Sequence, residues 1–317
     1  MKIVILDGQA INPGDLSWDC FRQFGSITYY DRTLSFEDTV ARIADNDILI
    51  LNKTPITEDV LAACPSIKLI CILATGYNVV DCEAAAKRNI PVCNVPGYGT
   101  DAVAQFTFGL LLELCHQIGH HSQAVHAGKW TSCPNFCFWD TPQMELSGKT
   151  MGIIGYGSIG KAVAKIARSF GMHVLAYTRT PKDGAEYVSL ETLLRQSDVV
   201  SLHCPLFPET KGIINEKTIS MMKDGAILLN TARGPLIDET AVAHALERGK
   251  LRGAAVDVVT QEPIPADSPL LRAPNCIITP HMAWTPVESR QRIFQCAVEN
   301  IRGFLSGNPQ NVVNGVS

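Results

Sequence analysis

Short, continuous apolar runs alternate along this chain with stretches in which apolar positions recur every three or four residues. Residues 3–6, 48–51 and 69–73 read as strands bounded by turn formers. Strands alternating with helical patterns predict a mostly parallel sheet. Residues 102–114 then carry Val103, Phe106, Leu110, Leu111 and Leu114 at helical spacing, with Thr100 and Asp101 as N-cap candidates. That helix is expected to open a second domain, and its broad apolar face suggests a homodimer. From residue 150 the alternation strengthens, with strands predicted at 151–154, 173–177, 198–202, 226–229, 254–258 and 276–279. Such a series is what a dinucleotide-binding sheet requires. Residues 286–305 return to helical spacing, placing Ile293, Phe294, Ala297, Ile301 and Leu305 on one face suited to packing on the first domain. The long irregular connection is 128–148, rich in Pro, Cys and aromatics; loops of this length often carry function.

Composition narrows the classes. At 317 residues the chain is too long for one ordinary core and reads as two domains. A net charge of −4 offers no footprint for a polyanion, so nucleic acid is not an expected partner. The apolar run 106–112 stops at Glu113, far short of the ~20 residues a membrane span needs. The N-terminus enters a strand at once without a leader-like pattern, so a cytoplasmic location is expected. The eleven cysteines are odd in number and scattered (Cys71, Cys93, Cys115, Cys204, Cys276), which favours reduced core thiols over a disulfide framework.

The sharpest motif is Gly155-Tyr156-Gly157-Ser158-Ile159-Gly160, directly after one predicted strand and before a helical pattern. Glycines there permit a tight turn and let backbone approach a pyrophosphate, while the helix N-terminus supplies partial positive charge. A dinucleotide is the expected ligand. The acid that normally ends the next strand is missing: the sequence reads Thr178-Arg179-Thr180. A carboxylate there would repel a 2′-phosphate, whereas Arg179 can bind one, which leaves NAD and NADP both open.

Three further segments fall at predicted strand ends, where open α/β sheets bind ligands: 230–234, 257–263 and 279–281. They bring an arginine, a glutamate and a histidine to one sheet edge. Arg233 can hold a carboxylate or carbonyl, His281 can give a proton as hydride reaches carbon, and Glu262 in contact with the imidazole would favour its charged form. Those types fit reduction of a 2-keto acid.

With these strings in order, joined by Leu73-Ala74-Thr75-Gly76-Tyr77-Asn78 and His203-Cys204-Pro205-Leu206 with Thr210, the sequence resembles the D-isomer-specific 2-hydroxyacid dehydrogenases over nearly its whole length. Phe138-Trp139-Asp140 ahead of 145–150 is similar to the glycerate dehydrogenase or hydroxypyruvate reductase group. The resemblance implies two doubly wound parallel-sheet α/β domains. A Rossmann domain (100–284) is inserted into a flavodoxin-like catalytic domain made of 1–99 and 285–317. It implies Arg233, Glu262 and His281 as the catalytic trio and the Thr75, Gly76 and Tyr77 amides as receivers of the substrate carboxylate. Gly155, Gly157, Ser158, Ile159, Gly160, Thr178, Arg179, Thr180, Cys204, Pro205, Thr210, Thr231 and Asp257 are implied around the cofactor, Asp257 on the nicotinamide carboxamide. Hydroxypyruvate/D-glycerate and glyoxylate/glycolate are the first substrate pairs. Gln105, where many relatives carry Glu, has no derived consequence.

The competing readings are a dinucleotide sensor, which would not need the three polar residues to converge, and formate or phosphite oxidation, which Glu262 argues against. His116 and His120 have helical i, i+4 spacing, yet no carboxylate motif accompanies them and hydride transfer needs no metal, so no metal site is expected. Cys133 and Cys137 lack a second pair at finger spacing. Trp130, Phe136, Phe138 and Trp139 are read as packing, and His203 as structural.

Overall fold

The computed structural model describes residues 1–181 and 184–316. The chain divides into two compact units, Met1–Gly99 with Thr285–Ser317, and Thr100–Trp284.

The first unit holds β1 (Lys2–Ile5), β2 (Ser26–Tyr29), β3 (Ile48–Leu51), β4 (Leu69–Ile72) and β5 (Val92–Cys93), all parallel in the order β2-β1-β3-β4-β5. This is the flavodoxin-like order. β3 and β4 are buried at every position, so they read as unbroken apolar runs: helices cover both faces. β2 escaped sequence reading because it is a largely exposed edge strand, Ser-Ile-Thr-Tyr, with no apolar run. The C-terminal helix Val287–Leu305 completes this unit, burying Ile293, Phe294, Ala297 and Ile301. Leu305, expected on the same face, is exposed at the frayed end. The helix is pinned by Arg290, whose guanidinium makes two bonds to the Asp15 carboxylate (2.6 and 2.5 Å) and one to the Ile11 carbonyl (3.1 Å).

The second unit holds β6 (Thr150–Ile154), β7 (His173–Tyr177), β8 (Glu186–Tyr187), β9 (Val199–Leu202), β10 (Ala226–Asn230), β11 (Leu251–Val256) and β12 (Cys276–Ile278). They form one parallel sheet in the order β12-β11-β10-β9-β6-β7-β8. The order reverses between β6 and β9, the Rossmann switch point at which dinucleotides bind outside the carboxyl ends of the strands. Six strands were predicted here; the seventh, β8, is two residues long and carries no period.

Two details correct the sequence reading. The helix Thr100–His116 begins at Thr100, two residues before the apolar spacing predicts, with Asp101 in its first turn. One side of it packs within its own unit, where Ala104, Phe108 and Leu111 share a core with Val163, Ala164 and Ala167 of the helix Ser158–Ser169, while Phe106, Leu112 and Leu114 stay partly exposed. Beyond it, Ile118, Trp130, Phe136 and Trp139 are exposed. For Trp130, Phe136 and Trp139 this overturns the packing reading; Phe138 is half-buried.

Candidate active site

At the carboxyl end of β6, Gly155 turns the chain with φ +96°, and a Cβ there would lie 2.4 Å from the backbone nitrogen of Cys204, just after β9. Only glycine permits that crossing. A Cβ on Gly160 would meet the Gly155 carbonyl at 2.2 Å, so the third glycine seats the helix against the turn. The Gly157 position is different: a Cβ there meets nothing within 4 Å. Gly157 is also the N-cap of the helix Ser158–Ser169 and supplies no side-chain cap. An open cradle at an uncapped helix N-terminus suits a pyrophosphate, whose oxygens would take the Ser158 and Ile159 amides.

Around this cradle, Thr178 is half-buried at the end of β7 while Arg179 and Thr180 are exposed. The Arg179 guanidinium lies over the Phe207 ring, 5.3 Å from its centroid. Cys204 is buried, and burial pushes its thiol up to about 11. Pro205 is exposed. Thr210 uses its hydroxyl locally, accepting from the Phe207 amide (2.7 Å) and donating to the Pro205 carbonyl (2.8 Å), so it shapes the 205–210 turn. Thr231 is buried and meets the Thr107 hydroxyl at 3.0 Å. His203 keeps Nε2 2.7 Å from Ser201 Oγ, while its buried Nδ1 has no partner among the described residues. Burial lowers it to about 3.

That depression has a sign that can be tested. The unfolded chain takes up a proton on His203 near its ordinary 6.5 and the folded chain does not until about 3, so stability is full above 6.5 and drains as pH falls between those values. His203→Gln is expected to remove about 2 kcal/mol of the stability lost between pH 7 and pH 5, read by denaturant midpoints at both pH values. An unchanged difference would show that His203 protonates freely in the native state.

At the ends of β10, β11 and β12 the predicted polar residues converge in part. His281 Nδ1 lies 2.7 Å from Glu262 Oε2, with side-chain exposures of 35% and 40%, so a small molecule and solvent can both reach the pair. Glu262 precedes a cis proline peptide, and its Oε1 accepts from the Val259 amide at 3.3 Å. His281 adopts a left-handed backbone, φ +53°. Its amide donates to the carbonyls of Asp257 (2.8 Å) and Thr279 (2.9 Å), and its carbonyl accepts from Trp284 Nε1 (2.9 Å). Nδ1 is thus engaged by Glu262, and Nε2 is the ring nitrogen outside that contact.

Arg233 is exposed and makes no ion pair with Glu262 or His281 among the described residues; its guanidinium donates to the Ala232 carbonyl at 2.7 Å. Its turn is built by fully buried Asn230, which donates to the Arg233 carbonyl (2.9 Å) and accepts from the Ala232 amide (3.1 Å). The turn abuts the Glu262 segment, since a Cβ on Gly234 would stand 2.0 Å from the Val259 carbonyl carbon.

Asp257 is 1% exposed. Its carboxylate accepts from the Thr279 hydroxyl (2.6 Å) and from the amides of Met282 and Ala283 (2.9 Å each). Three of about four acceptor positions therefore hold the His281 turn. Neither this role of Asp257 nor the turn-building role of Asn230 is visible in the sequence.

In the first unit, the segment 73–78 follows β4. The Thr75 hydroxyl donates to the Val95 carbonyl (2.9 Å), Asn94 Nδ2 donates to the Thr75 carbonyl (2.8 Å), and Tyr77 is exposed. Asn52 Nδ2 anchors the Leu73 carbonyl at 3.0 Å. Gly76 lies between Thr75 and Tyr77 and is half-buried. Away from these residues, His120 pairs with Asp140 (3.0 Å) and His116 with Gln143 (3.1 Å). Among the described residues no group of three His, Cys, Asp or Glu is placed to hold a metal ion.

Comparison with known proteins bears on this geometry. Residues 108–283 match the family model described as D-isomer specific 2-hydroxyacid dehydrogenase, NAD binding domain. The chain is 54% identical to a hydroxypyruvate reductase of Blautia hydrogenotrophica, covering 99% of this chain and 100% of that one. It is 41% identical to a glycerate dehydrogenase of Methylorubrum extorquens, over 98% of each. Among solved structures, an acyclic imino acid reductase (Bsp5) in complex with NADPH and D-Arg superimposes with a TM-score of 0.85 at 32% identity, covering 99% of this chain and 100% of that one.

Proposed function

The chain belongs to the D-isomer specific 2-hydroxyacid dehydrogenases, NAD(P)-dependent enzymes that interconvert 2-keto acids and D-2-hydroxy acids, and from that premise we propose that it reduces hydroxypyruvate to D-glycerate with His281 as the acid. The observation that carries the reading is the 2.7 Å contact between His281 and Glu262 at the sheet edge that also bears the glycine cradle. Glyoxylate is the second substrate.

Gly155, Gly157, Ser158, Ile159 and Gly160 would hold NAD(P)H, which when bound would supply the hydride for the carbonyl carbon. His281 Nε2 gives its proton to the carbonyl oxygen, so the alkoxide never stands free, and solvent returns the proton to the exposed ring. Glu262 stabilises the charged imidazole and fixes its orientation. Arg233 donates to the substrate from its fork. The amides of Thr75, Gly76 and Tyr77 are assigned to the substrate carboxylate. In the oxidation the same imidazole, neutral, accepts the hydroxyl proton. Glu262 argues against formate oxidation, which has no carbonyl oxygen to protonate.

Arg179, with no carboxylate at Thr178, favours NADPH. The reading includes a cytosolic homodimer, supported by eleven unbridged cysteines and by the exposed Ile118, Trp130, Phe136 and Trp139. No helix among the described residues is long and apolar enough to cross a membrane.

The test is oxidation of NADPH and NADH, followed by absorbance, with hydroxypyruvate, glyoxylate and pyruvate. Hydroxypyruvate is expected to give the highest kcat/KM, and Arg179→Ala to weaken NADPH about tenfold more than NADH. Absence of turnover with every keto acid would favour the sensor reading; equal loss for both coenzymes would remove Arg179 from the 2′-phosphate.

A further inference from the structure

The Glu262–His281 contact depends on a segment anchored in the core at Val259 but sparsely hydrogen-bonded beyond it. Residues 260–263 are exposed. Among the described residues, the backbone amides of 258–264 donate only two hydrogen bonds. One, from Val259 to Glu262 Oε1, is internal to the segment and long at 3.3 Å. The other leaves it: the Thr260 amide donates to Glu239 Oε1 at 2.6 Å.

Glu239 is the first residue of the helix Glu239–Glu247. An acid in a first turn ordinarily serves the helix itself, by capping or through the dipole. Here the cap is already filled, because Asp238 accepts from the Ala241 amide at 3.0 Å. The Glu239 carboxylate reaches across to the neighbouring excursion. Its second oxygen lies 3.5 Å from the hydroxyl of Ser268, a buried residue at the far end of the same excursion. One carboxylate therefore binds the near side of the loop that carries Glu262 and stands beside its far side, and the short bond to Thr260 falls two residues from Glu262. A charge-assisted bond to a backbone amide is among the stronger ties available to an exposed loop.

We infer that Glu239 is a positioning residue, holding the 258–268 loop so that Glu262 meets His281. Its carboxylate meets the loop at Thr260 and Ser268, and the inference rests on the reading of Glu262 and His281 given above. Since misplacing a reacting group by an ångström costs a large factor in rate, the loss falls on the chemical step and not on binding.

The experiment is a double-mutant cycle on the full-length enzyme, with active sites counted by coenzyme fluorescence titration so that misfolded protein does not enter kcat. Glu239→Ala is expected to lower kcat for hydroxypyruvate about tenfold with KM within about twofold, and Glu239→Gln, which keeps the oxygen facing Thr260, to restore most of it. In a Glu262→Ala background, Glu239→Ala should cost nothing further, because the group it positions is gone. An equal loss in both backgrounds, or a normal Glu239→Ala beside an impaired Glu262→Ala, would overturn the inference alone. A Glu262→Ala variant with full kcat would overturn the reading of the pair itself, and this inference with it.

Discussion

Replacing His281 by glutamine is expected to lower kcat for keto-acid reduction about a thousandfold while coenzyme affinity stays near that of the unchanged enzyme. The geometry makes this the cleanest subtraction available. Nδ1 is engaged by Glu262 at 2.7 Å, and the backbone is fixed by bonds to Asp257, Thr279 and Trp284, so Nε2 is the one nitrogen free to face a carbonyl oxygen. Glutamine keeps a hydrogen-bond donor of similar reach but has no proton to surrender. Binding should therefore survive where chemistry does not, and kcat and kcat/KM should fall together, the pattern of an interaction made in the transition state. A kcat within about threefold of the unchanged enzyme would remove the histidine from the chemical step.

The second large effect is expected from Asp257→Ala. This carboxylate is almost wholly buried, and its removal strands the Met282 and Ala283 amides and the Thr279 hydroxyl without an acceptor. Each stranded buried donor costs about 1–3 kcal/mol, so the unit should lose roughly 3 kcal/mol or more. For a unit of this size that lowers Tm by roughly 10 °C in calorimetry. The same change frees the 279–283 turn, and His281 has a left-handed backbone that only its surroundings sustain. Activity measured well below Tm should fall as well. Asp257→Asn, which keeps one acceptor oxygen, should fall between the two. If Asp257→Ala shifted Tm by less than about 2 °C, these bonds would not be holding the turn.

Together the two variants separate what His281 does from what keeps it in place. The distinction matters because the site is assembled on exposed turns at the ends of β10, β11 and β12, whose rigidity is borrowed from buried acceptors. Asn230 plays this part for Arg233 and Asp257 for His281.

Much of this protein can be read from its sequence because the information is local. Strands with both faces covered must be apolar throughout, so β3, β4, β9 and β10 announce themselves, and a glycine at φ +96° next to a crossing strand can be no other residue. What stayed hidden has a common cause. The edge strands β2 and β8 bury little and so leave no period. Arg233, Glu262 and His281 were visible as residue types at strand ends, yet only the fold shows Glu262 touching the imidazole while Arg233 bonds back to its own turn. Glu239 looks from the sequence like any acid at a helix start. Hydrophobic periodicity and glycine constraints are written in neighbouring residues, and they determined the two parallel sheets and the dinucleotide cradle. Which oxygen accepts from which distant amide depends on how segments twenty or more residues apart are brought within 3 Å, and that was decided by tertiary structure, because a hydrogen bond across a turn leaves no pattern in the order of the residues.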